Sequence, residues 1–163
     1  MGTPDDSLDR TDRLLLEILQ EDARASQAVI GARIGLSAAA VNRRVRRLTE
    51  AGVITGTVVT VAPEKVGRRV TVIAQIAVEN EQPQHLDQVR ESFLACPQVQ
   101  QCYYVAGEWD FILVLTVSDM AEYTSLTREL FFADGNVRRF NTSVVMDRVK
   151  VSLAVPAGGR NTV

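Results

Sequence analysis

The chain of 163 residues is poor in the side chains that most chemistry is built on, with one histidine, one tryptophan and two cysteines. Cys96 and Cys102 supply neither a disulfide framework nor a metal-binding spacing. They are expected to be reduced core or surface thiols of a cytoplasmic protein that holds no metal. The lone His85 falls at the start of an expected helix with no obvious partner. There is no Ser-His-Asp pattern and no phosphate-cradling glycine loop, so no catalytic residue is nominated and the chain is read as a non-enzyme. Long apolar runs are missing too. None approaches the roughly 20 residues that a membrane span needs, and the polar, acidic stretch from Met1 to Asp12 lacks the apolar region of a signal peptide.

One local absence says more. The net charge is −2, which over the whole chain argues weakly against a polyanionic partner. Yet Ala23 to Thr49 contains no Asp or Glu while carrying Arg24, Arg33, Arg43, Arg44, Arg46 and Arg47. The local field, not the net charge, decides how one face meets a polyanion. Apolar residues make up 46% of the chain, enough for a packed core. At this length the chain forms one domain or two small ones, each marginal alone.

Residues 8–22 carry a helical stripe of Leu14, Leu15, Ile18 and Leu19, with Leu8 ahead of it and Leu16 off it. Asp9 and Asp12 lie where they favour the helix dipole. Ser26 is a plausible N-cap for a short helix over about 27–34, with Ile30 and Ile34 inward. Gly31 in its middle marks either the close approach of a neighbour or simple tolerance. Gly35-Leu36-Ser37 then breaks the pattern. Gly35 turns the chain, Leu36 plugs the core and Ser37 caps a helix from about Ala38 to Ala51, with Gly52 as its C-cap. At about 100° per residue, Ala38, Val41, Val45 and Leu48 share one side. Ala39, Asn42, Arg43, Arg46 and Arg47 point elsewhere, and Arg44 flanks the stripe. Short helix, glycine turn and second helix make a helix-turn-helix signature.

Val53–Val61 reads as a strand or extended linker, and the domain boundary is expected between about 60 and 69. Beyond it, Val70–Val78 is a strand and Gln84–Ala95 a helix with Leu86, Val89, Phe93 and Leu94 inward. Val99–Val105 and Phe111–Val117 form an antiparallel hairpin, Met120–Phe132 is a second helix, and a last strand lies in Val137–Val151, centred on SVVMDRVKV. The order βαββαβ is the ferredoxin-like plan, a four-stranded sheet with both helices on one face. Its bare second face calls for a second copy. The tail from Pro156 is expected to be loose.

GLSAAAVNRRVRRLTEAGVITG (35–56) resembles the second half of the DNA-binding domain of the Lrp/AsnC, or feast/famine, regulators. VAGEWDFILVLTVSDM (105–120) is similar to that family's glycine-containing hairpin loop. LDRTDRLLLEILQED and TSVVMDRVK fit the same family, so the likeness runs from about residue 8 to 150. The resemblance implies an α+β chain with an N-terminal winged-type helix-turn-helix over 8–53, a linker strand or hinge over 54–69 and a C-terminal βαββαβ ferredoxin-like (RAM-type) domain over 70–151. Flexible ends are expected at 1–7 and 152–163. It also implies dimers and often octamers (tetramers of dimers), regulation by an amino acid or related metabolite, and no cofactor.

In that setting Asn42, Arg43 and Arg46 are placed near bases, since a guanidinium can bond guanine O6 and N7 together. Arg44 and Arg47 are placed as phosphate anchors. Ala39 and Ala40 let the helix sit deep in the major groove, and Ser37 with its neighbouring amides can hold a phosphate at the helix N-terminus. A symmetric dimer then reads an imperfect palindrome. For the effector, the turn at Val105, Ala106 and Gly107 offers backbone amides to a carboxylate, while Glu108 or Asp110 can meet the ammonium. The resemblance places the pocket between subunits, with Thr142 contributing. The family loop usually has Asp and Phe where this chain has Glu108 and Trp109, which reshapes the pocket. Trp109 can equally close the hairpin end, and Asp110 can equally bond its own turn. Two other readings stay open: an architectural protein that wraps DNA with little effector response, and an enzyme like the sirohaem decarboxylases on the same fold.

Overall fold

The computed structural model describes residues 8–133 and 135–158. The chain divides into two compact units, one running to Val59 and regained from Val151, the other spanning Thr60–Lys150. The chain therefore crosses between them twice, and the first crossing sits at the near end of the expected boundary.

The first unit is three helices, α1 (Arg10–Glu21), α2 (Gln27–Ile34) and α3 (Ala38–Glu50). Each begins on a side-chain cap. Asp9 accepts from the Asp12 amide in a reciprocal capping box, Ser26 accepts from Val29 and Ser37 from Ala40. Leu15, Ile18, Ile30, Val41 and Leu48 form the core, with Leu8, Leu16, Leu19, Ile34, Leu36, Val45 and Ile54 packed around it. Two expected stripe members are not there. Leu14 is exposed while Asp12 is buried, and Ala38 is exposed at the first turn of α3. Leu16, off the expected stripe, packs against the core.

Gly31 is a close-approach position. A Cβ there would lie 2.3 Å from the Leu36 carbonyl oxygen, so even alanine would force the backbone of the turn to move. Gly35 makes that turn in the left-handed region, at φ 71°, which glycine adopts without strain. The C-cap of α3 is Ala51, with Gly52 in the left-handed conformation one residue on.

The segment after α3 forms no strand and pairs with nothing among the described residues, so of the two readings, strand or extended linker, the strand is not formed. Val58, Val59 and Val61 are exposed, and the segment ends in a single 3-10 turn, Pro63–Val66.

The second unit is β1 (Val70–Val78), α4 (Pro83–Ala95), β2 (Val99–Tyr104), β3 (Phe111–Val117), α5 (Met120–Thr127) continuing into a π-helical turn (Arg128–Phe132), and β4 (Val137–Val144). The sheet order is β2-β3-β1-β4, with β1 antiparallel to both β3 and β4. One face carries Val72, Ala74, Ile76, Val78, Phe111, Leu113, Leu115 and Val117, all buried beneath Leu86, Val89 and Phe93 of α4 and Tyr123 and Leu126 of α5. Phe93 meets Phe111 edge-on at 5.5 Å between ring centroids.

Leu94 does not join this core. It lies beside Phe93 but off the Leu86–Val89–Phe93 face, and it is 78% exposed. The last strand also ends earlier than expected. Val144 pairs with Val72 and the Val145 amide bonds the Thr71 carbonyl, after which the chain leaves β1 although β1 itself runs on to Val70, opposite Val117 of β3. Met146 and Val149 are accordingly exposed.

The tail corrects a further expectation. Instead of lying loose, residues 155–158 run against α1. The Gln20 amide both donates to the Val155 carbonyl (2.9 Å) and accepts from the Val155 amide (2.8 Å), and Arg13 donates to the Ala157 carbonyl. The expected flexible N-terminus, 1–7, and the end of the tail, 159–163, lie outside the described residues.

Candidate DNA interface and effector loop

The arginines of α3 fall into two groups, and the distinction starts on α1. Asp12 lies on the core side of that helix and is completely buried. Its carboxylate accepts from Arg44 (2.7 Å), from Arg47 and from the Asp9 amide. Asp9 takes a second bond from Arg44 at 2.6 Å. Burial alone would raise the Asp12 pKa. The Arg47 and Arg44 guanidinium groups and the Asp9 amide outweigh it and hold the acid below its ordinary value. Asp9 is lowered as well, chiefly by its bond from Arg44, and Arg44 is raised in return by the two carboxylates.

Arg44 and Arg47 therefore brace α3 against the first turn of α1. Both were expected as phosphate anchors; Arg44 is paired with two carboxylates, while Arg47 keeps a side chain about half exposed beside its bond. Arg43 makes no ion pair among the described residues. Among the described residues Arg46 pairs with Glu50 alone, one turn on (2.8 Å), with both partners mostly in solvent, an interaction worth little. Asn42, Ala39 and Ser37 are exposed with them, and Ala40 is half-buried. Beside this surface lies a cleft lined by Asp9, Leu36, Ala40, Arg43, Arg44 and Arg47. The Ser37 hydroxyl is occupied as cap to the Ala40 amide at 3.2 Å.

The sequence reading missed the brace because it saw Asp9 and Asp12 only as dipole partners. Two signals were available. Leu8, Asp12, Leu15 and Leu19 follow the spacing of one helical face, and a carboxylate on a buried face calls for a cation to pair with it.

In the second unit the turn between β2 and β3 is tied to the end of β1. Val105 donates to the Asp110 carbonyl (2.8 Å), the Asp110 amide donates to Ile76 (2.9 Å), and the Asp110 carboxylate accepts from the Val78 amide (2.8 Å). The Asp110 backbone thus closes the turn while its carboxylate fastens the loop to the central strand. Gly107, at φ 149°, makes the bend. The amides of Ala106, Gly107 and Glu108 form no hydrogen bond within the described residues. Glu108 pairs with Arg139 at 3.0 Å, and the Arg139 guanidinium lies over the Trp109 ring, 4.4 Å from its centroid.

Thr142 is not brought to this loop within the chain. Its hydroxyl shares a 2.6 Å hydrogen bond with Tyr123, whose phenol is pushed up by burial. Arg139 is a loop partner that the sequence reading did not name.

A helix-turn-helix with an arginine face, joined to a βαββαβ unit with a glycine hairpin loop, defines a DNA-binding transcriptional regulator that carries a ligand-binding domain. Residues 8–55 match the family model for winged helix-turn-helix DNA-binding domains, and residues 71–155 match that of the Lrp/AsnC ligand binding domain. The chain belongs to the Lrp/AsnC family of transcriptional regulators. It is 41% identical over 149 residues to an HTH-type transcriptional regulator of Sinorhizobium fredii, covering 91% of this chain and 88% of that one. An AsnC family transcriptional regulator from Agrobacterium tumefaciens superposes with a TM-score of 0.86 at 30% identity, over 91% of this chain and 97% of that one. A feast or famine regulatory protein from M. tuberculosis, solved in complex with L-methionine, does so at 0.83 and 29%, over 91% and 99%.

Proposed function

We propose that this regulator binds an imperfect palindromic operator as a homodimer, assembled further as a tetramer of dimers, and that its second unit senses an amino acid or related small metabolite. On this reading it is a cytoplasmic non-enzyme with no cofactor.

The division of the α3 arginines carries the DNA reading. Arg44 and Arg47 hold the helix, while Arg43, Arg46 and Asn42 stand outward beside small Ala39, free to meet base edges and phosphates. The dimer reading rests on the second face of the sheet, where register sets Ile73 beside Val114 and Gln75 beside Ile112, with Tyr103 and Ile73 exposed. Apolar residues aligned on one open sheet face favour burial against a like surface. The amino-acid reading rests on the unbonded amides at Ala106–Glu108 and on the methionine complex of a structural relative. Against catalysis stands His85, half-buried in the first turn of α4 with no acid beside it in the described residues.

Selection of bound sequences from random DNA, with and without an amino-acid pool, tests the reading. Half-sites about one helical turn apart are expected. Arg43→Ala is expected to abolish specific binding and to reduce the slope of log affinity against log salt by about one. Unchanged operator affinity in both Arg43→Ala and Arg46→Ala, or a flat salt response, overturns the assignment.

A further inference from the structure

The effector loop is closed by its own charges, and this feature is built from residues that three different elements bring together. Glu108 and Trp109 belong to the turn before β3. Arg139 comes from β4, where it sits opposite Ala77. The next residue of β1, Val78, bonds Asp110. The central strand thus holds the loop on one side and Arg139 on the other. The guanidinium then reaches back to pair with Glu108 at 3.0 Å and to stack on Trp109 at 4.4 Å.

An amino acid needs a cation for its carboxylate and an anion for its ammonium. Asp110, one of the two acids at the loop, is committed to the Val78 amide. The acid left to meet an ammonium is Glu108, and the cation beside it is Arg139. In the free protein these two satisfy each other.

We propose that Glu108, Arg139 and Trp109 form a charge-paired cover that a zwitterionic α-amino acid opens by exchange of partners, its carboxylate taking Arg139 and its ammonium taking Glu108. The inference rests on the effector reading above and names the recognition chemistry of that site. The exchange leaves every charge paired. The pair it breaks is exposed, with Glu108 67% and Arg139 46% accessible, and so is weakly held. A planar guanidinium fits a carboxylate in fork geometry, and the amides of Ala106, Gly107 and Glu108 stand ready to add donors to the same carboxylate. Trp109 reports the event, because moving the cation off its face alters the ring's surroundings.

Trp109 is the chain's one tryptophan, so the intact protein carries its own probe. The twenty standard L-amino acids are titrated into the full-length protein while tryptophan emission and operator affinity are followed together. At least one is expected to shift both with the same midpoint. Analogues of that amino acid lacking either the carboxylate or the amine are expected to bind about tenfold more weakly or worse, since each strands one charge. Glu108→Gln and Arg139→Gln, both exposed positions whose folding is checked by circular dichroism, are expected to raise the midpoint about tenfold while leaving operator binding without amino acid intact. An amino acid that alters operator affinity with no change in Trp109 emission, or with the same midpoint in both variants, overturns the cover and leaves the effector reading standing. If no amino acid moves either signal, both readings fall.

Discussion

The two units solve the same problem with different means. Among the described residues the second unit buries sixteen side chains in one apolar cluster, from Val72 on β1 to Phe131 in the π-helical turn, whereas the first has five. A three-helix unit with so small a core leans on directional devices: a capping box at Asp9, serine caps on α2 and α3, a glycine that lets the turn carbonyl approach, and a buried carboxylate gripping two arginines. The second unit also has a carboxylate hub, Glu122, but in a supporting role. It accepts from the Ser118 amide and hydroxyl, from Gln98 and from Arg68, and these bonds hold it down to about 2. Stability in the first unit should therefore answer to charge and caps, and in the second to apolar volume.

The largest expected effect tests the apolar half of that contrast. Phe93 is fully buried and packs edge-on against Phe111 and Phe131. Phe93→Ala should destabilise the second unit by about 3–5 kcal/mol through lost transfer energy and a residual cavity. Hydrogen exchange followed by mass spectrometry resolves the units peptide by peptide. Faster exchange confined to the second unit is expected; an equal loss in α1–α3 would show that the two cores are one cooperative body.

The middle effect tests the charged half. Asp12→Asn removes the anion that Arg44 and Arg47 share, and should cost the first unit about 2 kcal/mol at neutral pH, reduced from the fully buried case because both arginines reach solvent. The sign with pH follows from the lowered pKa. A carboxyl whose folded pKa lies below its unfolded value, 3.8 for Asp, contributes stability that is present above that value and is lost as pH falls through the folded one. The gap between wild type and Asp12→Asn should therefore be widest near neutrality and shrink below about pH 4. Glu122→Gln should show the same trend in the second unit, where the loss extends down towards pH 2. A gap that stays constant with pH would remove charge as the basis of the brace.

This contrast also explains what the sequence made legible. Ser26 and Ser37 mark helix starts because a cap is a local event within three residues. Val70–Val78 and Phe111–Val117 read at their observed limits because a buried strand is a continuous run with turns at either end. What depended on distant partners did not read. Asp12 meets arginines 32 and 35 positions away, and Arg139 meets a glutamate 31 positions away. The end of β4 did not read either: pairing with β1 stops at Val144 while the valine-rich run continues past it. The outward set on α3 was visible because a helical face is periodic, but which arginines stay free depended on α1.

The smallest expected effect concerns the tail, which leaves the second unit and docks on the first. Its grip is polar and exposed: a two-way bond between the Gln20 amide and the Val155 backbone, and Arg13 on the Ala157 carbonyl. Bonds of this kind contribute about 0.5–1.5 kcal/mol at most, and solvent competes for them. Gln20→Ala should therefore lower the stability of the first unit by less than about 1 kcal/mol while abolishing protection of the Val155 amide against exchange. That outcome fits a unit whose small core is supplemented by many weak directional contacts, each dispensable alone. If Val155 keeps its protection, the segment is held by something other than α1 and the tail is not part of the first unit's architecture. If instead α1–α3 unfold with the loss of this one contact, five apolar side chains and the Asp12 brace do not suffice, and the unit's stability has to be sought in what the tail brings to it.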